Sequence, residues 1–204
     1  MESHIIHFSS KFGFAEYYEW DYDHRILPYT LKIGRFVEFN KYTSDRIMLA
    51  KTPENIIGVT ANSSNFISDY HEEWPYKYVK DQFGKILSTT KEIARGQLEH
   101  DAELDIDYIK TFKDTNYELM INPTFDKNQI YNNRSFREEW QPIVLIGKCI
   151  VQDFGTCKPG EYCTLYNGND PNMVGSAIPY KEGSNIKYYV LKRISKETIL
   201  ILFK

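Results

Sequence analysis

The sequence predicts a mainly β fold, with a small sandwich or barrel-like core and an acidic, partly helical insertion. Three observations point that way. Short β-branched runs alternate with clusters of turn residues, as where Ile56–Ala61 is followed by Asn62-Ser63-Ser64-Asn65, and that spacing suits sandwiches and barrels. Aromatic residues make up 15% of the 204 residues, led by 16 Tyr and 12 Phe, and large aromatics favour pleated, half-buried surfaces. Between Ser88 and Asp107 the pattern changes. Lys91, Glu92, Arg95, Glu99, Asp101, Glu103, Asp105 and Asp107 crowd a segment in which Ile93, Ala94, Leu98, Ala102 and Leu104 give a weak helical period broken by Gly96. A charge run of this kind marks a solvated face, partly helical or extended. The insertion is placed at 88–113.

Taken in order, residues 1–33 read poorly as helix. Phe12, Phe14, Tyr17, Tyr18, Trp20 and Tyr22 crowd the segment, and Pro28 disfavours helix at Leu27. Gly34–Asn40 reads as a short strand, Ile47–Ala50 as a second closed by Thr52-Pro53-Glu54-Asn55, and Ile56–Ala61 as a buried third. After the insertion, Pro142–Val151 is a continuous apolar strand kinked at Gly147. Tyr162–Tyr166 is a further strand. Ile186–Arg193 and Thr198–Phe203 form a final hairpin around Ser195-Lys196-Glu197, its last strand either in the core or at an edge between subunits.

Composition excludes several classes. The formal charge of −3 leaves no electrostatic footprint for nucleic acid. No window approaches the roughly 20 apolar residues of a membrane helix. Met1–Trp20 carries His4, His7, Lys11, Glu16 and Glu19 and does not read as a secretory signal. Three cysteines, Cys149, Cys157 and Cys163, argue against a fully paired disulfide framework and fit a reducing compartment. Cys157 and Cys163 either pair across the turn between them or pack as small apolar side chains, the second being favoured.

Few residues carry chemistry by type alone. His4 and His7 lack a third ligand at metal spacing, so neither metal nor cofactor enters the reading. There is no phosphate-cradling glycine loop and no nucleophile elbow. Glu16 and Glu19 sit among aromatics, and a carboxyl in apolar surroundings is suited to acid–base work. Arg134-Ser135-Phe136-Arg137-Glu138-Glu139-Trp140 is denser. Two arginines, carboxylates and an indole just before a buried strand make either a latch that orders the loop or a subunit-interface anchor.

Several segments, in order, resemble a known family. Ala15-Glu16-Tyr17-Tyr18-Glu19-Trp20, Gly34-Arg35-Phe36-Val37, Ile57-Gly58-Val59, Glu73-Trp74, Asp81-Gln82-Phe83-Gly84-Lys85, Asn122-Pro123-Thr124-Phe125-Asp126, Arg137-Glu138-Glu139-Trp140, Leu145-Ile146-Gly147-Lys148, Asp153-Phe154-Gly155-Thr156-Cys157 and Tyr189-Val190-Leu191-Lys192-Arg193 follow the pattern of Peptidase_G2. This is the C-terminal intramolecular chaperone and autoproteolytic cleavage domain of bacteriophage tail spikes and neck appendage proteins. The resemblance runs from about Phe12 to Lys204.

It implies a single chaperone-type domain over 13–204 behind an N-terminal arm at 1–12, a homotrimer, and a viral fibre or spike protein as client, in the virion or in the host cytoplasm during assembly. Because the chain opens shortly before the motif, it reads as a stand-alone version. The family cuts its own chain with an Asp followed three residues later by a Glu. Glu16 matches the glutamate, but Gly13 stands where the aspartate belongs. The resemblance therefore implies a scissile bond between Phe12 and Gly13, impaired self-cleavage, and recovery of some cutting in Gly13→Asp. Trp20, Trp74, Arg134, Arg137, Glu139 and Trp140 are the residues expected to serve structure or interface. Two alternatives stay open: an active autoprotease cutting near Phe12–Gly13, and a structural virion protein that retains only the fold.

Overall fold

The computed structural model describes residues 13–43, 45–69, 74, 76–182 and 185–204. The expected arm at 1–12, with His4, His7 and Phe12, lies outside them, as does Glu73. The chain divides into two compact units, Met1–Tyr70 with Asn132–Lys204, and His71–Tyr131.

The first unit is built from β1 (Phe14–Trp20), two single-turn helices α1 (Tyr22–Arg25) and α2 (Tyr29–Lys32), β2 (Phe36–Phe39), β3 (Arg46–Leu49), β4 (Ile56–Thr60) and β5 (Phe66–Ser68). The second unit inserts β6 (Ser88–Asp101) and β7 (Ile106–Leu119). The first then resumes with β8 (Trp140–Gln152), β9 (Tyr162–Leu165), β10 (Ala177–Pro179), β11 (Tyr188–Arg193) and β12 (Thr198–Phe203). The fold is mainly β, as the sequence predicts.

Ten strands of the first unit join in the order β10-β9-β11-β12-β8-β4-β2-β3-β1-β5, and β1 also pairs with β8. That extra pairing closes β8, β4, β2, β3 and β1 into a ring, the barrel-like part of the core. Strand β8 is long enough to serve both halves of the sheet. Its first part runs antiparallel to β1 and β4, and Gly147–Gln152 runs antiparallel to β12. Along its other edge β1 takes β5 at Phe14–Glu16 and β3 at Glu19–Trp20, both parallel.

Neighbouring residues of one strand fall into different buried clusters. Phe36 and Val144 pack with Ala15, Val59, Cys149 and Ile201, whereas Val37 and Ile143 pack with Trp20, Ile47 and Leu49. A strand covered on both faces needs apolar residues at successive positions. This is why these strands read as continuous apolar runs.

Within 13–33, the described part of the first stretch, helix is confined to the single turns α1 and α2, and Phe14–Trp20 is a strand that the sequence does not announce. Its Ala15 and Tyr17 are buried and alternate with half-buried Glu16 and Tyr18.

The insertion at 88–113, expected to be partly helical or extended, is extended apart from its turn, and its helical part is not found. There β6 and β7 form a two-stranded antiparallel ribbon, in register from Ser88↔Leu119 to Asp101↔Ile106. The charges that suggested a helix surface make cross-strand pairs instead: Lys113 with Glu92 at 2.9 Å, Arg95 with Asp114 at 2.9 Å and Lys110 with Glu99 at 3.2 Å. The partner strand supplies half of each pair, so a local helical period cannot reveal them. Ile93, Thr89, Thr90 and the β-branched residues of β7 also favour an extended backbone. The ribbon turns at 102–105, where the Asp101 carboxylate accepts from the amides of Glu103 and Leu104 at 3.0 and 3.2 Å. Its base is knitted by Val79 N donating to Met120 O, Leu87 N to Val79 O and Met120 N to Leu87 O, each at 2.9 Å.

Candidate functional site

Glu16 projects from the start of β1. Its carboxylate accepts from the Tyr18 hydroxyl at 2.8 Å and from the Ser68 hydroxyl at 3.2 Å, so strand β5 holds one oxygen and β1 itself the other. Burial and this hydrogen bond to Glu16 push the Tyr18 phenol up to about 12. Three residues earlier, the Gly13 carbonyl accepts from Ser64 Oγ at 2.5 Å. Ser64 is itself buried, in the turn before β5.

The backbone at Gly13 is built for glycine. Its φ is +69°, a conformation that L side chains rarely adopt. A Cβ there would lie 2.2 Å from the backbone oxygen of Ile146. Gly147, at φ +108°, leaves equally little room, since its Cβ would lie 2.7 Å from the Gly13 Cα. The two glycines meet where the β1–β8 register shifts, with Phe14 opposite Ile146 and Ala15 opposite Val144. At the motif itself, therefore, the Glu16 carboxylate is held in place while the backbone at Gly13 has no space for the side chain of the aspartate that the motif suggests.

Beyond Glu16 the sequence-marked block comes together. The Arg134 guanidinium stacks on the Trp140 ring, 3.5 Å from its centroid. It also donates to both the carboxylate and the carbonyl of Asp69, the latter at 2.9 Å. Asp69 follows β5 in a left-handed conformation, φ 57°, which Asp tolerates better than most residues. Desolvation by burial and the neighbouring Arg137 lower the Arg134 pKa, against the pull of Glu19 and Glu16.

Arg137 donates two hydrogen bonds to one Glu139 oxygen, at 2.9 and 2.7 Å, and Arg25 lies 4.0 Å from the other. Burial works against the Glu139 charge, but its own amide, Arg137 and Arg25 prevail and hold it below the usual carboxylate range. Trp140 is half-buried and its indole nitrogen is enclosed. Truncating Trp140 to Ala removes the surface on which Arg134 lies, and the expected cost is about 2–3 kcal/mol, below that of a fully buried indole. Urea denaturation measures it; an unchanged midpoint would mean that the stack adds nothing to stability.

The remaining marked residues lie elsewhere. Trp20 is 1% exposed and belongs to the core of the first unit, stacked on His24 at 6.2 Å, so its indole is no free interface group. Trp74 belongs to the second unit, packed against Tyr131 at 4.8 Å. Sequence reasoning did not mark Ser64, Ser68 or Asp69. All three reach the site from about 50 or more residues away in the chain, and only the turn cluster at 62–65 hinted at them.

The mainly β ring, with Glu16 held on its first strand, is a fold shared with solved structures of a phage gene product. The chain belongs to the family Peptidase_G2, described as the IMC autoproteolytic cleavage domain, which matches residues 3–177. It is 30% identical over 149 residues to the preneck appendage protein of Bacillus phage PZA, a match spanning 72% of this chain and 14% of that protein. It is 29% identical over 148 residues to the pre-neck appendage protein of Bacillus phage phi29, again covering 72% of this chain and 14% of the relative. The chain thus spans only a small part of these relatives. Among solved structures, the crystal structure of a C-terminal fragment of bacteriophage phi29 gene product 12 matches with a TM-score of 0.60 at 22% identity, covering 94% of this chain and 99% of the fragment. The pre-mature form of that gene product matches over 95% of this chain and 22% of its own length, with a TM-score of 0.61.

Proposed function

We propose that this chain is an assembly module: a homotrimeric, chaperone-type domain over residues 13–204 that serves a viral fibre or spike protein, with impaired self-cleavage. The observation that carries the assembly reading is the ribbon β6–β7. Leu98, Ile106, Tyr108, Ile109, Phe112 and Tyr117 are all exposed on it. The register sets Leu98, Ile109 and Tyr117 on one face and Ile106, Tyr108 and Phe112 on the other. A two-stranded ribbon alone is marginal in water, and one that exposes apolar side chains on both faces asks for a partner. Copies of the same chain provide one, because each carries the same ribbon.

The service such a module performs has a physical logic. Fibres built from three chains need non-local strand pairing, which is slow and exposes edges prone to aggregation. A domain that trimerises first raises the effective concentration of the neighbouring segments. On this reading the protein acts in the host cytoplasm during assembly or within the virion.

The reading of impaired cleavage rests on Gly13. Losing one of two cooperating groups commonly removes orders of magnitude of rate. Intact mass spectrometry tests it: after days of incubation the chain is expected to keep the residues before Gly13, and their clean loss would favour an active autoprotease. Co-expression with a phage appendage protein truncated before its own C-terminal domain tests the chaperone role. Raised yield of soluble, trimeric client is expected; no effect would favour a structural virion protein that keeps only the fold.

A further inference from the structure

A cleft of about 570 Å³ opens in the first unit between the segment that carries α1 and α2 and the segment that leads into β8. Arg25 and Lys32 line it from the first segment, Phe136 and Arg137 from the second. Lys32 is its unusual member. The residue is only 8% exposed, yet among the described residues its ammonium has a single acceptor, the Arg25 carbonyl at 3.2 Å. The Trp20 ring centroid lies 5.9 Å away. No carboxylate of a described residue comes within 4.0 Å of this ammonium.

A lysine so covered is almost always paired with an anion. Burial lowers its pKa and Arg25 adds to that, while Glu138 pulls the other way. Glu138 is the only carboxylate among the lining residues, against the three cations Arg25, Lys32 and Arg137. Arg137 is spent on Glu139, whereas Arg25 comes no nearer to that carboxylate than 4.0 Å. Ile26, Tyr29 and Phe136 add exposed apolar surface to the same cleft. It is therefore shaped for an acidic segment that also carries apolar side chains.

The chain holds such a segment at the turn of the β6–β7 ribbon, Asp101-Ala102-Glu103-Leu104-Asp105-Ile106-Asp107. Two of its carboxylates are occupied, Asp101 by the turn amides and Asp107 by His100 at 2.8 Å. Glu103 and Asp105 face solvent. The Asp105 side chain is 96% exposed, and His100, its nearest partner, is 3.7 Å away. Leu104 and Ile106 are exposed beside them. Strands of 14 residues carry this turn about 45 Å from the base of the ribbon, long enough to reach a neighbouring molecule.

We propose that the cleft receives the acidic turn of a second copy's ribbon, with Glu103 and Asp105 meeting Lys32 and Arg25, and Leu104 and Ile106 lying on Ile26 and Phe136. The inference rests on the assembly reading above and adds the surface through which the copies meet. Cleft and turn are different patches of one chain, so the contact is heterologous, and repeated about an axis it closes a ring. Each copy gives one turn and receives one. Opposite charges at such a contact fix which segment enters and in which orientation.

The test reverses the charges on each side in the full chain. Glu103→Lys with Asp105→Lys alters the turn, and Arg25→Glu alters the cleft. All three side chains are exposed, and circular dichroism checks that the fold is kept. In light scattering across a dilution series, each variant should dissociate at a concentration about tenfold higher than wild type or more. A chain carrying all three reversals pairs the new charges again and should regain assembly. An assembled wild type whose two variants assemble equally well would overturn this contact and leave the assembly reading standing, as would a triple variant no better than the other two. A monomeric wild type would overturn both.

Discussion

Gly13→Asp is expected to destabilise the chain by about 3 kcal/mol or more and to leave the Phe12–Gly13 bond uncut. The resemblance alone implies the opposite, that restoring the aspartate restores some cutting. That expectation holds only if the rest of the site stays intact, and the geometry at Gly13 argues that it does not. The new Cβ would stand 2.2 Å from the Ile146 carbonyl oxygen, in a backbone at φ +69°. Neither Ile146 O nor the facing Gly147 backbone is the end of a flexible side chain, so relief requires the β1–β8 bulge to move. That movement takes with it the strand that positions Glu16. Denaturation measures the first effect and intact mass the second. A stable, self-cleaving Gly13→Asp protein would show that the bulge rearranges at little cost and that Glu16 keeps its place.

The second large effect is expected at Asp153. This carboxylate is wholly buried and held by Arg193 and by the amides of Cys157 and Gly155. Burial works against its charge, but those hydrogen bonds outweigh it and its pKa lies below the ordinary carboxylate value. Asp153→Asn keeps one acceptor oxygen but removes the charge that pairs with Arg193 and turns an NH2 donor toward N–H groups, and the expected cost is about 3–5 kcal/mol at neutral pH.

The pH dependence has a definite sign. Between the depressed folded value and the unfolded value of about 3.9, the unfolded chain binds the proton and the folded chain does not. The Asp153 contribution is thus complete above about pH 4 and is lost as pH falls through the folded-state pKa. The stability gap between wild type and Asp153→Asn should narrow over that acidic window. A gap that stays constant into strong acid would mean that the carboxylate's charge does not matter.

Much of the sheet was legible in the sequence because its strands are covered on both faces. Ile56–Thr60, Pro142–Val151 and the final pair of strands announce themselves as apolar runs between turns. Strand β1 did not, because its carboxylates and aromatics take their burial from β8, more than a hundred residues away. The ribbon was misread for a related reason. The charges of β6 are matched on β7, and a local helical period cannot see that partner.

The site shows the same division. Arg134 and Trp140 are close in the chain, and the sequence signalled their cluster. Asp69, Ser64 and Ser68 reach it only through the path of the sheet. Even Gly13, noted as a missing aspartate, gave no sign that its backbone leaves no room for one.

Assembly into three copies can be read from light scattering coupled to size exclusion. A particle of three times the chain mass is expected at micromolar concentration, with a melting temperature that falls on dilution because folding and association are linked. Charge-reversing Lys110 and Lys113 on the ribbon should weaken it. A monomer at that concentration, with a melting temperature independent of dilution, would contradict the account.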